Sequence, residues 1–341
     1  MLRWCVVVPV SVALGWTFSA LHLPAAWILG AIVASGAVAL RSGRDLPVNE
    51  YLFQFTRGVI GVLAALPLVG IPLGQLLPFI LPGLVATASM IGLAYVGGAV
   101  LARKGVSQET GVLSLLAGGA SLMPVIAKEI GADVRYVALT QYLRLLVVSM
   151  TLPVVAGLLT TKHGSITGHL DPYWWMWLLV PALVVVGQPI AKVLRIPSPS
   201  IFGPMILTAV VGSLMEVTIV PPEPLSIAAF LCLGWVCGGG LSVPALKQFS
   251  RLLPITIAYI VGLMVACAGV GWLLTLWLNI SFYEGYLATT PGALETVLAL
   301  TAEGGVGPAV VAIQLIRLIC ILLFAGYLPK LIGWQKRRRN G

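Results

Sequence analysis

The chain has 341 residues, of which 59 % are hydrophobic and 9 % are charged. Soluble domains carry about 25 % charged residues, so this chain has too little charge to build a water-exposed surface. The composition argues against a soluble enzyme, a DNA-binding protein and a secreted disulfide scaffold, and it predicts an all-α polytopic membrane protein. The net charge of +9 is interpreted as loop and tail charge facing the cytoplasm, and no nucleic-acid partner is expected.

Twelve apolar segments follow one another along the chain, each close to the roughly 20 residues that a helix needs to cross a bilayer. They cover residues 4–20, 23–40, 51–69, 76–101, 111–127, 136–160, 174–191, 197–215, 225–246, 254–278, 286–302 and 308–332. The fifth segment is interrupted by Gly118-Gly119-Ala120-Ser121 and the eleventh by Pro291-Gly292-Ala293. Because proline and glycine weaken a helix interior, both segments are predicted to be broken helices.

The second half of the chain repeats the first at a spacing of 173 residues without a gap, which predicts a duplication. The matched features are Leu23-Pro24 with Ile196-Pro197, Gly30 with Gly203, Gly61 with Gly234, Gly98 with Gly271, Gly119-Ala120 with Gly292-Ala293, Gln141 with Gln314, and Arg144 with Arg317. We therefore predict a first membrane repeat at 1–160, a second at 174–333 and a basic cytoplasmic tail at 334–341. Trp4–Ala20 resembles a signal peptide, but its counterpart in the second repeat predicts a retained helix.

The distribution of charge predicts opposite orientations for the two repeats. If the two broken segments are re-entrant, entering and leaving on one side, ten segments cross and most basic loops become cytoplasmic, as the positive-inside rule requires. The cytoplasmic residues are then Arg41, Arg44, Arg103, Lys104, Lys128, Arg135, Lys192, Arg195, Lys247, Arg251 and the C-terminal tail. The acidic residues that become external are Glu216, Glu223, Glu284 and Glu303. Lys162 also becomes external and is the one basic residue that departs from the rule. Each repeat thus has about five transmembrane helices plus one re-entrant broken segment.

Inverted repeats with broken helices are the common architecture of secondary transporters, which place substrate near the midplane. Non-helical backbone at membrane depth requires surrounding protein or a water-filled cavity. The two tips therefore form the predicted substrate site. Its candidate residues are Arg144, Arg317, Gln141, Gln314, Gly118, Gly119, Ser121, Pro291, Gly292 and Glu295.

The two matched arginines lie deep in their segments. Arg144 is about 12 Å in if the sixth segment starts near Tyr136, and Arg317 is about 13 Å in from Pro308. A charge there costs at least about 2.5–3.5 kcal/mol, so it must be paired, face a cavity or bind a ligand. Two interpretations remain open: pairing with carbonyl groups freed at the breaks, or an anion clamp formed with backbone N–H groups of the tips.

Three other polar residues inside the apolar segments, Gln141, Gln314 and Glu295, allow two roles each. Gln141 and Gln314 lie one turn before the arginines, on the same helix face, where they hydrogen-bond substrate or orient the tips. Glu295 has Leu122 as its counterpart, and it either carries a coupling proton or forms a fixed salt bridge to one of the arginines. Arg57 is interpreted as snorkelling from the third segment toward the interface.

Enzyme chemistry finds little support, and no cofactor or metal is expected. The five cysteines lie inside apolar runs and are interpreted as packing residues. His163, His169 and Asp171 share a glycine-containing loop, which favours a solvated loop over a metal site. No Walker A motif is present, so ATP-driven transport is not expected.

The chain resembles the AbrB-type bacterial membrane protein family, whose members carry a tandem duplication. The resemblance rests on three stretches of sequence, residues 23–30, residues 131–144 with Gln141 and Arg144, and residues 290–295 with Pro291-Gly292 and Glu295. It implies an inner-membrane protein, and its members have been labelled as regulators of gene expression or as ammonia monooxygenases. The first repeat departs from the family pattern, since Gly118-Gly119-Ala120-Ser121 replaces a Pro-Gly-Gly-type tip. Because metal ligands are lacking, the residues argue against the monooxygenase label.

Two functions are carried forward. The first is secondary transport of a small, anionic solute across the bacterial cytoplasmic membrane, with the C-terminus cytoplasmic. The alternative is a membrane sensor or regulator that affects gene expression through partners or solute levels. The expected partners are the lipid bilayer and a small-molecule solute, with a homo-oligomer left open.

Overall fold

The computed structural model describes residues 3–339 apart from residues 22, 24, 71–72, 118–122, 160–172, 197, 241–245, 248, 293 and 304–305. Within that part of the chain the regular structure is entirely helical, with no β-strand. The α-helices in chain order are α1 Trp4–Ala20, α2 Ala26–Ser42, α3 Glu50–Ala65, α4 Ile80–Ala102, α5 Gln108–Leu115, α6 Met123–Ile130, α7 Val134–Leu159, α8 Met176–Val193, α9 Pro199–Met215, α10 Glu223–Gly239, α11 Leu253–Leu278, α12 Phe282–Thr289, α13 Leu294–Glu303 and α14 Pro308–Arg339.

The helices match the predicted segments closely. Five helical stretches are long and apolar enough to cross a membrane, namely Glu50–Leu68, Leu77–Ala102, Val134–Leu159, Met176–Val193 and Leu253–Leu278. Five shorter apolar stretches accompany them, namely Trp4–Ala20, Ala26–Ser42, Pro199–Met215, Glu223–Gly239 and Pro308–Ile321. These ten stretches are the ten segments that the sequence predicts to cross, which supports the interpretation of the chain as a helical membrane protein.

The fifth and eleventh segments are both broken, as the sequence predicts. The fifth forms α5 and α6, and the eleventh forms α12 and α13. Both first halves begin earlier than hydropathy predicts because a serine side chain caps them: Ser107 accepts from the backbone N–H of Thr110, and Ser281 accepts from that of Glu284. Ser281 and Glu284 form a full capping box, which satisfies two backbone N–H groups reciprocally.

The C-terminal helix is longer than its apolar segment. The apolar segment ends near residue 332, and α14 continues to Arg339, so the helix includes Lys336, Arg337 and Arg338 of the predicted basic tail. Lysine and arginine are good helix formers and suit the negative end of the helix dipole.

The chain forms two compact units, and each unit takes segments from both predicted repeats. The first unit contains Met1–Pro78, Ser149–Leu241 and Leu294–Val311, and the second contains Phe79–Val148, Ser242–Ala293 and Ala312–Gly341. The first unit therefore holds α1–α3, α8–α10 and α13. The second unit holds α4–α6, α11 and α12, together with most of α7 and α14.

Close helix packing in the first unit depends on glycine. Helix α2 packs on α10, and α3 packs on α9. A side chain at Gly61 would collide with the carbonyl oxygen of Ile201, and one at Gly234 would collide with that of Ile28. Gly61 and Gly234 differ by 173 residues, as do Ile28 and Ile201. The same contact therefore occurs twice, each time between the third helix of one repeat and the second helix of the other.

The second unit contains two matching helix pairs. Helix α4 packs on α5, and α11 packs on α12. Each pair meets at glycines, Gly98 against Gly111 in the first and Gly271 against Gly285 in the second. Glycine lets the two backbones approach without an intervening side chain. These pairs hold the short helices α5 and α12, whose ends carry the candidate site.

Candidate functional site

The C-terminal end of α5 is capped by side chains from α7. The last carbonyl groups of a helix have no partner inside it, and the backbone at Leu116 turns to an extended conformation. The Nε2 group of Gln141 donates to the carbonyl oxygens of Leu113 at 2.7 Å and Leu116 at 3.2 Å. Nη1 of Arg144 donates to the same Leu116 oxygen at 2.9 Å.

The end of α12 is capped in the same way by α14. Nε2 of Gln314 donates to the Leu287 carbonyl oxygen at 2.6 Å, and Nη1 of Arg317 donates to that of Thr290 at 2.6 Å. Thr290, like Leu116, has extended backbone angles. The donors are spaced 173 residues apart and the acceptors 174, so one capping arrangement occurs in both repeats.

All four capping side chains are buried. Gln141 and Gln314 are 0 % exposed, Arg144 is 1 % exposed and Arg317 is 3 % exposed. Arg144 and Arg317 both belong to the second unit, and the positive charge of Arg317 opposes that of Arg144. Among the residues that the structure describes, neither forms an ion pair with a carboxylate. Two like charges buried together are unfavourable unless an anion balances them.

The capping bonds leave donor capacity unused. A guanidinium has five N–H donors, and in each arginine the described bonds involve one terminal nitrogen. Nε of Arg144 is buried and has no hydrogen-bond partner among the described residues. The pairing with freed carbonyl groups that the sequence allowed is therefore present. It leaves Arg144 with a donor for a further acceptor, so the two interpretations of the arginines are compatible.

Glu295 lies in the first unit, where Arg57 binds it. Nε of Arg57 and Oε1 of Glu295 are 2.9 Å apart, and the side chains are 23 % and 14 % exposed. Nη2 of Arg57 also donates to Oγ of Ser198 at 3.4 Å, and its guanidinium lies 5.7 Å from the ring centre of Phe53. Arg57 is thus an ion-pair partner and not simply a snorkelling residue, and the fixed salt bridge of Glu295 is formed with Arg57.

The structure describes two of the remaining predicted site residues. Pro291 and Gly292 are buried and non-helical between α12 and α13. Gly118, Gly119 and Ser121 lie outside the described residues, as do His163, His169 and Asp171 of the loop considered for metal binding. Among the described residues, no group of three or more His, Cys, Asp or Glu side chains is arranged to hold a metal ion.

Sequence reasoning missed two contributors to the site. Cys267 of α11 is buried and was interpreted only as a packing residue. Its carbonyl oxygen also accepts a hydrogen bond of 2.8 Å from Oγ1 of Thr289, the last residue of α12. The serine caps of α5 and α12 were the other omission. The Ser-x-x-Glu spacing of Ser281 and Glu284 is a recognisable signal for the second cap.

The fold and site define a helical membrane protein with two broken segments and two buried, helix-capping arginines. The family described as "Transition state regulatory protein AbrB" matches residues 27–333. The chain is 32 % identical over 348 residues to "Putative regulator AbrB" of Escherichia coli (strain K12), covering 100 % of this chain and 99 % of that protein. It is also 24 % identical over 373 residues to "Uncharacterized protein YhjN" of Bacillus subtilis (strain 168), covering 98 % and 95 %. The chain belongs to the AbrB family.

Proposed function

We propose that this protein is a secondary transporter of a small anionic solute. The observation that carries the proposal is that Arg144 and Arg317 are buried in the same unit without a carboxylate partner among the described residues. An anionic ligand would balance their charge and use the N–H donors that capping leaves free. Guanidinium groups bind carboxylates in a planar, two-bond geometry, so a carboxylate is the preferred anion.

The electrostatic balance favours a ligand with one negative charge. Each arginine caps the negative end of a short helix, which carries about half an elementary charge. Two guanidinium groups and two helix ends leave a net charge of roughly +1 at the site. A monovalent anion neutralises this charge, whereas a divalent anion would leave an excess of negative charge in a buried place.

An inverted arrangement of the two repeats completes the proposal. The capping contacts at α5 and α12, and the glycine contacts of Gly61 and Gly234, recur at the spacing of the sequence repeat. Broken helices in two repeats of opposite orientation give a site that either side of the membrane can reach in turn. The proposal includes a bacterial inner-membrane location, a cytoplasmic C-terminus and no enzymatic activity.

The topology can be tested with single cysteines in a background from which the five native cysteines are removed. We expect Gly164→Cys and Glu223→Cys to react with an impermeant maleimide in intact cells. Lys104→Cys, on an exposed loop residue, is expected to react only after the membrane is opened. If Gly164→Cys also requires an opened membrane, the inverted five-plus-five topology is wrong.

Regulation of gene expression is the second candidate, and it is favoured by the names that the family and the E. coli relative carry. The composition offers no soluble DNA-binding domain, so such a role would be indirect. A transporter changes expression by changing the solute content of the cell, whereas a sensor acts through a protein partner. Solute flux distinguishes these possibilities.

Flux is measured with the purified full-length protein in liposomes. A panel of labelled monocarboxylates, phosphate, sulfate and nitrate is supplied outside, with protein-free liposomes as the control. We expect saturable uptake of one class of monovalent anion above the protein-free level. Absence of uptake for the whole panel, together with a specific cytoplasmic protein that co-purifies, would favour the sensor and contradict the transporter.

A further inference from the structure

The two capping glutamines present a second kind of unused hydrogen-bonding group. Oε1 of Gln141 and Oε1 of Gln314 are buried and have no hydrogen-bond partner among the described residues. The orientation of each amide is fixed by its capping bond, because only the NH2 group can donate to the carbonyl oxygens of Leu113 and Leu287. The atom left without a partner is therefore an acceptor in both repeats.

The free acceptor of Gln141 lies beside the arginine. Nε2 of Gln141 and Nη1 of Arg144 both bond to the Leu116 carbonyl oxygen, at 3.2 Å and 2.9 Å. The amide and the guanidinium thus converge on one atom. Nε of Arg144, also buried and without a described partner, is a donor. The same short stretch of α7 therefore offers one unused donor and one unused acceptor.

A ligand that satisfies both groups must itself carry both functions. Its anionic part accepts from the arginines, and a hydrogen-bond donor is needed for the glutamine oxygens. A simple anion such as acetate or nitrate has no donor, so it would leave the buried Oε1 atoms without a partner. An unmade bond to a buried polar group lowers affinity about tenfold or more.

We propose that the site selects small hydroxycarboxylates, in which a hydroxyl group next to the carboxylate donates to Gln141 or Gln314. This inference rests on the proposed transport of an anion and names its substrate class. A hydroxyl suits the site better than an ammonium group, because two guanidinium charges already lie there. A buried, preformed acceptor next to the anion site thus distinguishes hydroxy acids from plain carboxylates.

The inference is tested with four three-carbon carboxylates of nearly equal size. Lactate carries a hydroxyl donor, pyruvate replaces it by an acceptor, propionate has neither, and alanine carries an ammonium donor. Affinity is measured by calorimetry on the purified full-length protein in detergent. We expect the affinity for lactate to be higher than that for propionate, pyruvate or alanine by about tenfold or more.

The variants Gln141→Met and Gln314→Met test which glutamine gives the preference for lactate over propionate. Methionine has a similar length but no amide oxygen, so the preference for lactate over propionate should be lost in at least one single variant and in the double variant. Continued propionate binding shows that the variants are folded. Gln75→Met, at an exposed glutamine, is the matched control and should keep the full preference for lactate.

Each other outcome has a definite meaning. If the wild-type protein binds lactate, propionate and pyruvate equally, water satisfies the glutamine oxygens and the substrate class is wrong, while the anion site stands. If alanine binds best, the donor is an ammonium group and the hydroxyl assignment is overturned. If no carboxylate, phosphate, sulfate or nitrate binds, the anion site fails, and the proposed function fails with it.

Discussion

Replacing Arg144 or Arg317 by glutamine is expected to abolish anion binding and transport. Each substitution removes one of the two buried guanidinium groups and with it the positive charge that the ligand balances. Loss of one partner from a buried, hydrogen-bonded charge pair costs about 2–5 kcal/mol, which corresponds to a roughly 30-fold to several thousandfold loss of affinity. Binding is measured by calorimetry, and uptake is measured in liposomes.

The design must separate a binding role from the capping role that both arginines have. Arg144→Lys keeps a charged donor for the Leu116 carbonyl oxygen but lacks the planar fork of a guanidinium. We expect this variant to fold and to bind the anion weakly. Arg135→Gln, on an exposed residue of the same helix, is the control and should bind and transport normally. If Arg144→Gln and Arg317→Gln both bind normally, the arginines are helix caps alone.

The helices could be predicted from sequence because each is defined by a local property. An apolar run of sufficient length, or a glycine- and proline-rich interruption, is visible within twenty residues. The division of the fifth segment into α5 and α6, and of the eleventh into α12 and α13, could be predicted from backbone preferences alone. The helix starts were less predictable, because the caps Ser107 and Ser281 place polar residues in the first turn of α5 and α12.

The candidate site could be predicted only in part. The burial of Arg144 and Arg317 could be anticipated from the matched positions in the sequence and from the cost of a charge at membrane depth. Carbonyl groups freed at the breaks were one of the two predicted partners, but Leu116 and Thr290 could not be named, because their carbonyl groups become available only at the end of a helix elsewhere in the chain. A backbone oxygen has no signature in a sequence. The sequence also could not show that the Oε1 atoms of Gln141 and Gln314 lack a hydrogen-bond partner among the described residues, because that depends on packing in three dimensions.

The ion pair between Arg57 and Glu295 could not be predicted from the sequence either. Arg57 lies 238 positions before Glu295, in the other repeat, and no local pattern joins them. Sequence reasoning assigned Arg57 to the interface because a long basic side chain in an apolar segment commonly snorkels. The packing of α3 on α13 within the first unit brings the two charges together. Glu295 corresponds to the apolar Leu122 in the first predicted repeat, so the repeat gave no indication of its ion-pair partner.

The closest helix contacts of the first unit join the two predicted repeats. In the first unit the second helix of each repeat packs against the third helix of the other, α2 on α10 and α9 on α3. Neither repeat can make these contacts alone. The close approach requires a glycine at the same position in both repeats, Gly61 and Gly234. The stability of this unit therefore depends on two positions that carry no side chain.

Gly234→Ala and Gly61→Ala are accordingly expected to destabilise the protein strongly. An added methyl group at Gly234 would lie 2.5 Å from both the Ile28 carbonyl oxygen and the Ala31 side chain, far inside ordinary contact distance. Since the obstacle is partly backbone, the helices must separate and lose packing along their length. Overpacking of this kind costs about 1–3 kcal/mol and sometimes more, and the largest value is expected here.

The measurement is thermal unfolding of the purified variants in one detergent, and Gly262→Ala provides the matched control. Gly262 lies inside α11, and no atom lies within 4 Å of an added methyl group there. Alanine is the better helix former by up to about 1 kcal/mol, so Gly262→Ala should leave the unfolding midpoint unchanged or raise it. Gly234→Ala should lower the midpoint because the same change in helix propensity is outweighed by the collision. Equal midpoints for the two variants would contradict the close packing of α2 on α10, and with it this contact between the two predicted repeats.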